Sequence, residues 1–139
     1  MSVRDQNLEA VAPVLVTFDI AQTAGVDDLK DADLGNPVML TGSNEVGPIT
    51  NGSQLLGKLL SLTLTDNDDG QRLATVQVGG ICRLAIGTTY PTIGNRVIGG
   101  ASNTVKQATT VASDPAGGNI ARGTVLEVNG TTDCVILLN

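Results

Sequence analysis

QRLATVQVGGICRLAI, residues 71–86, decides the fold. Ala74, Val76 and Val78 fall on one side of a period-two pattern, with Thr75 and Gln77 on the other. Such alternation is the mark of a half-buried strand. After Gly79–Gly80 the even-numbered face resumes with Cys82, Leu84 and Ile86, while Arg83 points outward. The stretch therefore reads as two strand segments that meet at a glycine kink or bulge.

Upstream, QLLGKLLSLTLTD (54–66) begins ambiguously, because Leu55, Leu56, Leu59 and Leu60 have helical spacing. From Leu60 the pattern alternates: Leu60, Leu62 and Leu64 oppose Ser61, Thr63 and Thr65. That argues strand, extended backwards with Gly57 as a candidate bulge. DNDDG (66–70) makes the turn of a hairpin, 58–65 with 71–78.

Further out, VLVTFDI (14–20), PVMLT (37–41), NRVI (95–98) and NTVKQATT (103–110) read as short strands. AQTAGVDDLKDADLGN (21–36) reads as a solvated acidic loop, with a short helical turn as the other possibility. SDPAGGN (113–119) is a loop. Asn129–Gly130, between two apolar runs, predicts a type I′ hairpin turn, since both central residues of that turn take positive φ. In the last strand Cys134, Ile136 and Leu138 are apolar on one face, and Val135 and Leu137 on the other. Such a strand lies in the middle of the fold or faces another subunit.

About eight short strands with little helix predict an all-β protein. The expected architecture is a small single-domain β-sandwich or barrel, jelly-roll-like or β-tulip-like. An extended N-terminal arm, residues 1–13, precedes a β domain, residues 14–139. The chain has 139 residues, enough to bury a core.

Composition narrows the chemistry. There is no His or Trp, one Phe and one Tyr, and the net charge is −6. Eight basic residues stand singly, which argues against nucleic-acid binding. The polar start MSVRDQNLEA does not read as a signal peptide, and no apolar run approaches the ~20 residues that span a membrane. Synthesis in a cytosol is expected, where Cys82 and Cys134 read as buried thiols rather than a disulfide.

Without His there is no Ser–His or Cys–His pair, and without His or CxxC a zinc site is disfavoured. Asp66, Asp68 and Asp69 in DNDDG fail the helix–loop–helix calcium pattern, because glycine comes one residue early and no Glu closes the loop. Paired carboxylates for sugar hydrolysis have few aromatic platforms beside them. The glycine pairs do not form a dinucleotide-binding fingerprint. No catalytic, cofactor or metal residue is assigned, and no enzyme is expected.

Four stretches carry a resemblance. NPVMLTGSNEVGPITNGSQLLGKLL (36–60), ATVQVGGICRLAI (74–86), TIGNRVIGGASNTVKQA (92–108) and ARGTVLEVNGTTDCVILLN (121–139), taken in order, resemble the capsid decoration (cement, head-stabilising) proteins of tailed bacteriophages. The resemblance covers about residues 36–139. It implies a structural virion protein, made in the bacterial cytoplasm, that binds the outer capsid surface and stabilises the shell against internal DNA pressure. The implied partners are the major capsid protein and the chain itself, as dimer or trimer, without nucleic acid, membrane or cofactor. The acidic charge suits solubility at high copy number.

Three contact elements are expected. The arm contributes Val3, Arg4, Leu8 and Val11. The strand VLVTFDI, with Val14 and Val16, pairs with a capsid strand. The last strand offers Val135 and Leu137 to an oligomer interface. Arg83, Arg96 and Arg122 are candidate bridging charges or ordinary solvated residues. The alternative function is a non-catalytic β recognition module on a virion surface or fibre, binding a glycan or protein.

Overall fold

A computed structural model describes residues 13–63, 72–108 and 120–139. In chain order the strands are β1 (Val14–Ile20), β2 (Gln22–Thr23), β3 (Val26–Asp27), β4 (Pro37–Gly42), β5 (Glu45–Pro48), β6 (Gly57–Leu62), β7 (Leu73–Ala85), β8 (Val97–Gly99), β9 (Val105–Gln107), β10 (Thr124–Asn129) and β11 (Asp133–Leu138). A single 3-10 turn spans Asp31–Asp33, and no α-helix occurs among the described residues.

β7 is the spine. Its first half pairs antiparallel with β6 on one side and β1 on the other, and its second half pairs with β11. The order β1-β5-β4-β6-β7 closes on itself through β1–β7, forming a five-stranded barrel. Only β1–β5 is parallel. Beyond the kink, β7-β11-β10 forms a second sheet, and β8–β9 is a separate two-stranded ladder tied to it by bridges Ile86–Val105 and Val97–Arg122. The chain is an all-β domain built on a small barrel.

Gly79–Gly80 lets one strand serve both layers. Gly80 takes φ +87°, and the β1 register skips a residue between Gln77 and Gly79. Such a bulge bends a strand and re-aims its side chains. The Gln77 side chain, expected on the outer face, is buried, and its Nε2 donates to the carbonyls of Gly79 and Ile81, each at 3.1 Å. One buried amide thus satisfies two part-buried acceptors across the bend.

The even-numbered face of β7 is the inner one: Ala74, Val76, Cys82 and Leu84 are buried, as is Ile86 just past its end, and Val78 is half-buried. The barrel core gathers Ile20, Leu29, Val38, Val46, Leu59, Ala74 and Val76. A second cluster packs Ile49, Leu55, Val97, Val105 and Val125 against the far half of β7 and against β11. β7 contributes to both.

Several expectations are corrected. Gly57 is not a bulge: it pairs with Val38, and a Cβ there would stand 1.9 Å from the Gln77 carbonyl oxygen. The bulge falls at Leu60, where the register passes from Leu59↔Val76 to Ser61↔Thr75. It turns Leu59 fully inward and leaves Leu60 exposed. The acidic stretch after β1 is more structured than expected, with the β2–β3 pair, the 3-10 turn and Leu29 anchored in the barrel. The last hairpin is not a two-residue turn: Asn129 pairs with Asp133, and only Gly130 of the dipeptide takes positive φ. On its other edge β11 pairs with β7, which sets Cys134 opposite Leu84 and Ile136 opposite Cys82 in the core. The DNDDG turn, the SDPAGGN loop and residues 1–12 of the arm lie outside the described residues.

Candidate interaction surface

β1 begins as three successive exposed apolar residues, Val14, Leu15 and Val16. A strand covered on one face shows such residues alternately. The topology explains the difference. β1 pairs with β7 along Val14–Asp19 but meets β5 only at Asp19 and Ile20. From Val14 to Phe18 its other edge has no strand partner among the described residues. Val16 pairs with the fully buried Val76, yet is itself 39% exposed, because the barrel is unsealed at that mouth.

Leu15 opens onto a cleft of about 220 Å³ shared with Pro13, Lys58, Leu60, Ile81 and Arg83. Leu15 and Lys58 both pair with Gln77, so β1 and β6 flank β7 at the same level. Exposed Leu15 and Leu60 thus border one surface beside the open strand edge. An unpaired edge with apolar side chains is a template for another strand.

The other candidates fall in different places. Val14 and Val16 lie on the open strand. Val3, Arg4, Leu8 and Val11 lie outside the described residues. Val135 is a correction: it has no exposed surface, because β11 runs between β7 and β10, so it offers nothing to a partner. Leu137 is half-buried on the same strand. Of the two placements open to β11, the chain uses the middle of the fold.

The arginines are tied down. Arg83 bonds Asp133 at 2.6 Å across β7–β11. Arg96 donates to the Ala121 carbonyl at 3.0 Å. Arg122 donates to the carbonyls of Leu55, at 3.5 Å, and of Leu56 and Val78. Burial pulls its pKa below the usual arginine value, with the neighbouring Cys82 opposing. No local signal marked Arg122 for this role, since its partners are distant in sequence.

Cys82 and Cys134 are buried and are not joined in a disulfide. They sit diagonally, Cys82 opposite Ile136 and Cys134 opposite Leu84. Burial, then Cys82 and Asp133, push the Cys134 thiol up to about 12 against the pull of Arg83. It stays protonated at neutral pH and is a poor nucleophile.

Among the described residues, no group of three or more His, Cys, Asp or Glu side chains could hold a metal ion, and no helix is long and apolar enough to cross a membrane. The chain matches no known protein-family model, no curated protein and no solved structure.

Proposed function

We propose that this chain is a non-catalytic structural protein that binds the outer surface of a tailed-phage capsid and stabilises the shell. The observation that carries the reading is the open edge of β1, where Val14, Leu15 and Val16 are exposed beside an apolar cleft. Such an edge supports addition of a strand from the major capsid protein, with main-chain hydrogen bonds giving affinity and alternate side chains giving register. The ordered resemblance of residues 36–139 to decoration proteins supports the same partner. The chemistry agrees: the chain has no histidine, and its thiols are buried. Dimer or trimer formation and placement on the capsid exterior belong to this proposal.

Stabilisation then follows from mass action. A protein that binds the assembled shell but not its separated subunits shifts the equilibrium toward the shell. Co-sedimentation with capsids of the matching major shell protein, before and after expansion, tests the reading. Saturation at a fixed ratio to shell subunits is expected. Absence of binding to both forms would overturn it and direct attention to the alternative, a surface recognition module for a glycan or protein.

A further inference from the structure

A second cavity, of about 360 Å³, opens where β4, the segment before β6 and the segment before β10 meet. Met39, Leu40 and Leu56 supply its apolar wall, and Ser53, Gln54 and Arg122 its polar groups. Leu40 is 53% exposed although it belongs to β4, so the cavity leaves an aliphatic surface uncovered. Gln54 is exposed, and no hydrogen bond of its side-chain amide is found among the described residues.

Arg122 is held from behind. Its backbone exchanges two hydrogen bonds with Val97, N to O in each direction at 2.9 Å. Its Nη1 donates to the Leu55 and Leu56 carbonyls and its Nη2 to the Val78 carbonyl. A guanidinium has five N–H donors. Three directed at these carbonyls leave Nε–H and one Nη2–H. The ion pairs formed among the described residues by Arg72 with Asp31 and by Arg83 with Asp133 do not involve Arg122. Carbonyl dipoles orient its charge without neutralising it.

We propose that this cavity binds a carboxylate carried on an aliphatic group, the carboxylate taking the remaining donors of Arg122 and the Gln54 amide while the aliphatic part covers Leu40 and Met39. Few polar groups converging on a mostly apolar concavity is the usual make-up of a specific site. A guanidinium presenting parallel donors is the side chain best matched to a carboxylate, through charge-assisted bonds. The desolvated cation, its pKa lowered by burial, gains more from an anion than an exposed arginine does. On a polypeptide this chemistry is a leucine-like C-terminus or a glutamate side chain. The proposal rests on the cavity alone and is independent of capsid binding.

The test is titration of the ¹⁵N-labelled protein, followed by NMR. The probes are N-acetyl-leucine, its uncharged amide, and N-acetyl-glutamic acid α-amide. Saturable shifts of the Gln54 side-chain amide and of the Ser53 and Leu56 backbone amides are expected, at millimolar or tighter affinity, with a carboxylate probe and not with the uncharged amide. Leucine and glutamate probes separate the terminal from the side-chain source. L40E, at an exposed position, places a competing carboxylate in the cavity and should weaken binding at least tenfold with the remaining spectrum unchanged. Q54A should weaken it several-fold. Unsaturable shifts with every probe, equal shifts with the uncharged amide, or undiminished binding by L40E would each overturn the proposal.

Discussion

A Cβ built on Gly57 would stand 1.9 Å from the Gln77 carbonyl oxygen and 2.9 Å from its carbon. Both atoms are backbone, so no side chain can swing away, and β6 must move from β7. Gly57→Ala is expected to lower stability by about 3 kcal/mol or more, read as a urea midpoint shift. Cys134 makes a different prediction at the same scale. Its thiol has an ordinary value of 9.0 and is pushed up to about 12 in the folded chain. Between those values the folded protein holds a proton that the unfolded chain has lost. Its contribution to stability is therefore complete below about pH 9 and falls as pH rises toward 12, with a slope of at most about 1.4 kcal/mol per pH unit. Urea unfolding of wild type and C134A across pH 7–11 checks the sign. The two curves should converge as pH rises, because the variant lacks this loss. A constant gap would refute the assignment.

β1 and β11 are both apolar strands with opposite fates, and paired substitutions separate them. Leu15→Lys removes exposed apolar surface, so it should change stability by less than about 0.5 kcal/mol while abolishing capsid co-sedimentation. Val135→Ala, in a fully buried site, should cost about 1–3 kcal/mol in denaturant unfolding and leave capsid binding intact. If Leu15→Lys binds like wild type, the open edge is not the contact. The contrast also marks what sequence could convey. The alternation in β7 was legible because one face is buried along nearly its whole length, as was the pairing of its first half with β6. The bulge at Leu60 was not, because the leucine run 59–60 offers two registers and only the barrel interior selects Leu59. The apolar faces of β11 announced double burial, but not whether its own chain or another copy supplied the cover. The exposure of β1 depends on how far β5 runs beside it, a tertiary fact absent from VLVTFDI. Arg122 carried no local signal, because Val78 and Leu55 lie 44 and 67 residues away.

The barrel and the second cluster share β7, so neither can melt while leaving that strand intact in the other. Val76→Ala in the barrel and Leu84→Ala beyond the kink should therefore each cost about 1–4 kcal/mol of stability and lower the midpoint of one common transition. Far-UV circular dichroism and Tyr90 fluorescence would resolve two separated transitions if the halves were independent. The seam that closes the barrel has a further consequence. It joins Phe18 to Ala74, so β1 leaves the ribosome long before its partner has been made. At about 5–20 residues per second, that interval is roughly 3–11 s. Throughout it, Phe18 and Ile20, which the finished barrel covers, have neither barrel nor β7 over them, so the nascent chain is expected to engage holdase chaperones during synthesis. Arrest-peptide force profiling would register barrel closure only after β7 clears the exit tunnel, and an earlier force peak from β1–β6 alone would show that a partial barrel shelters the strand first.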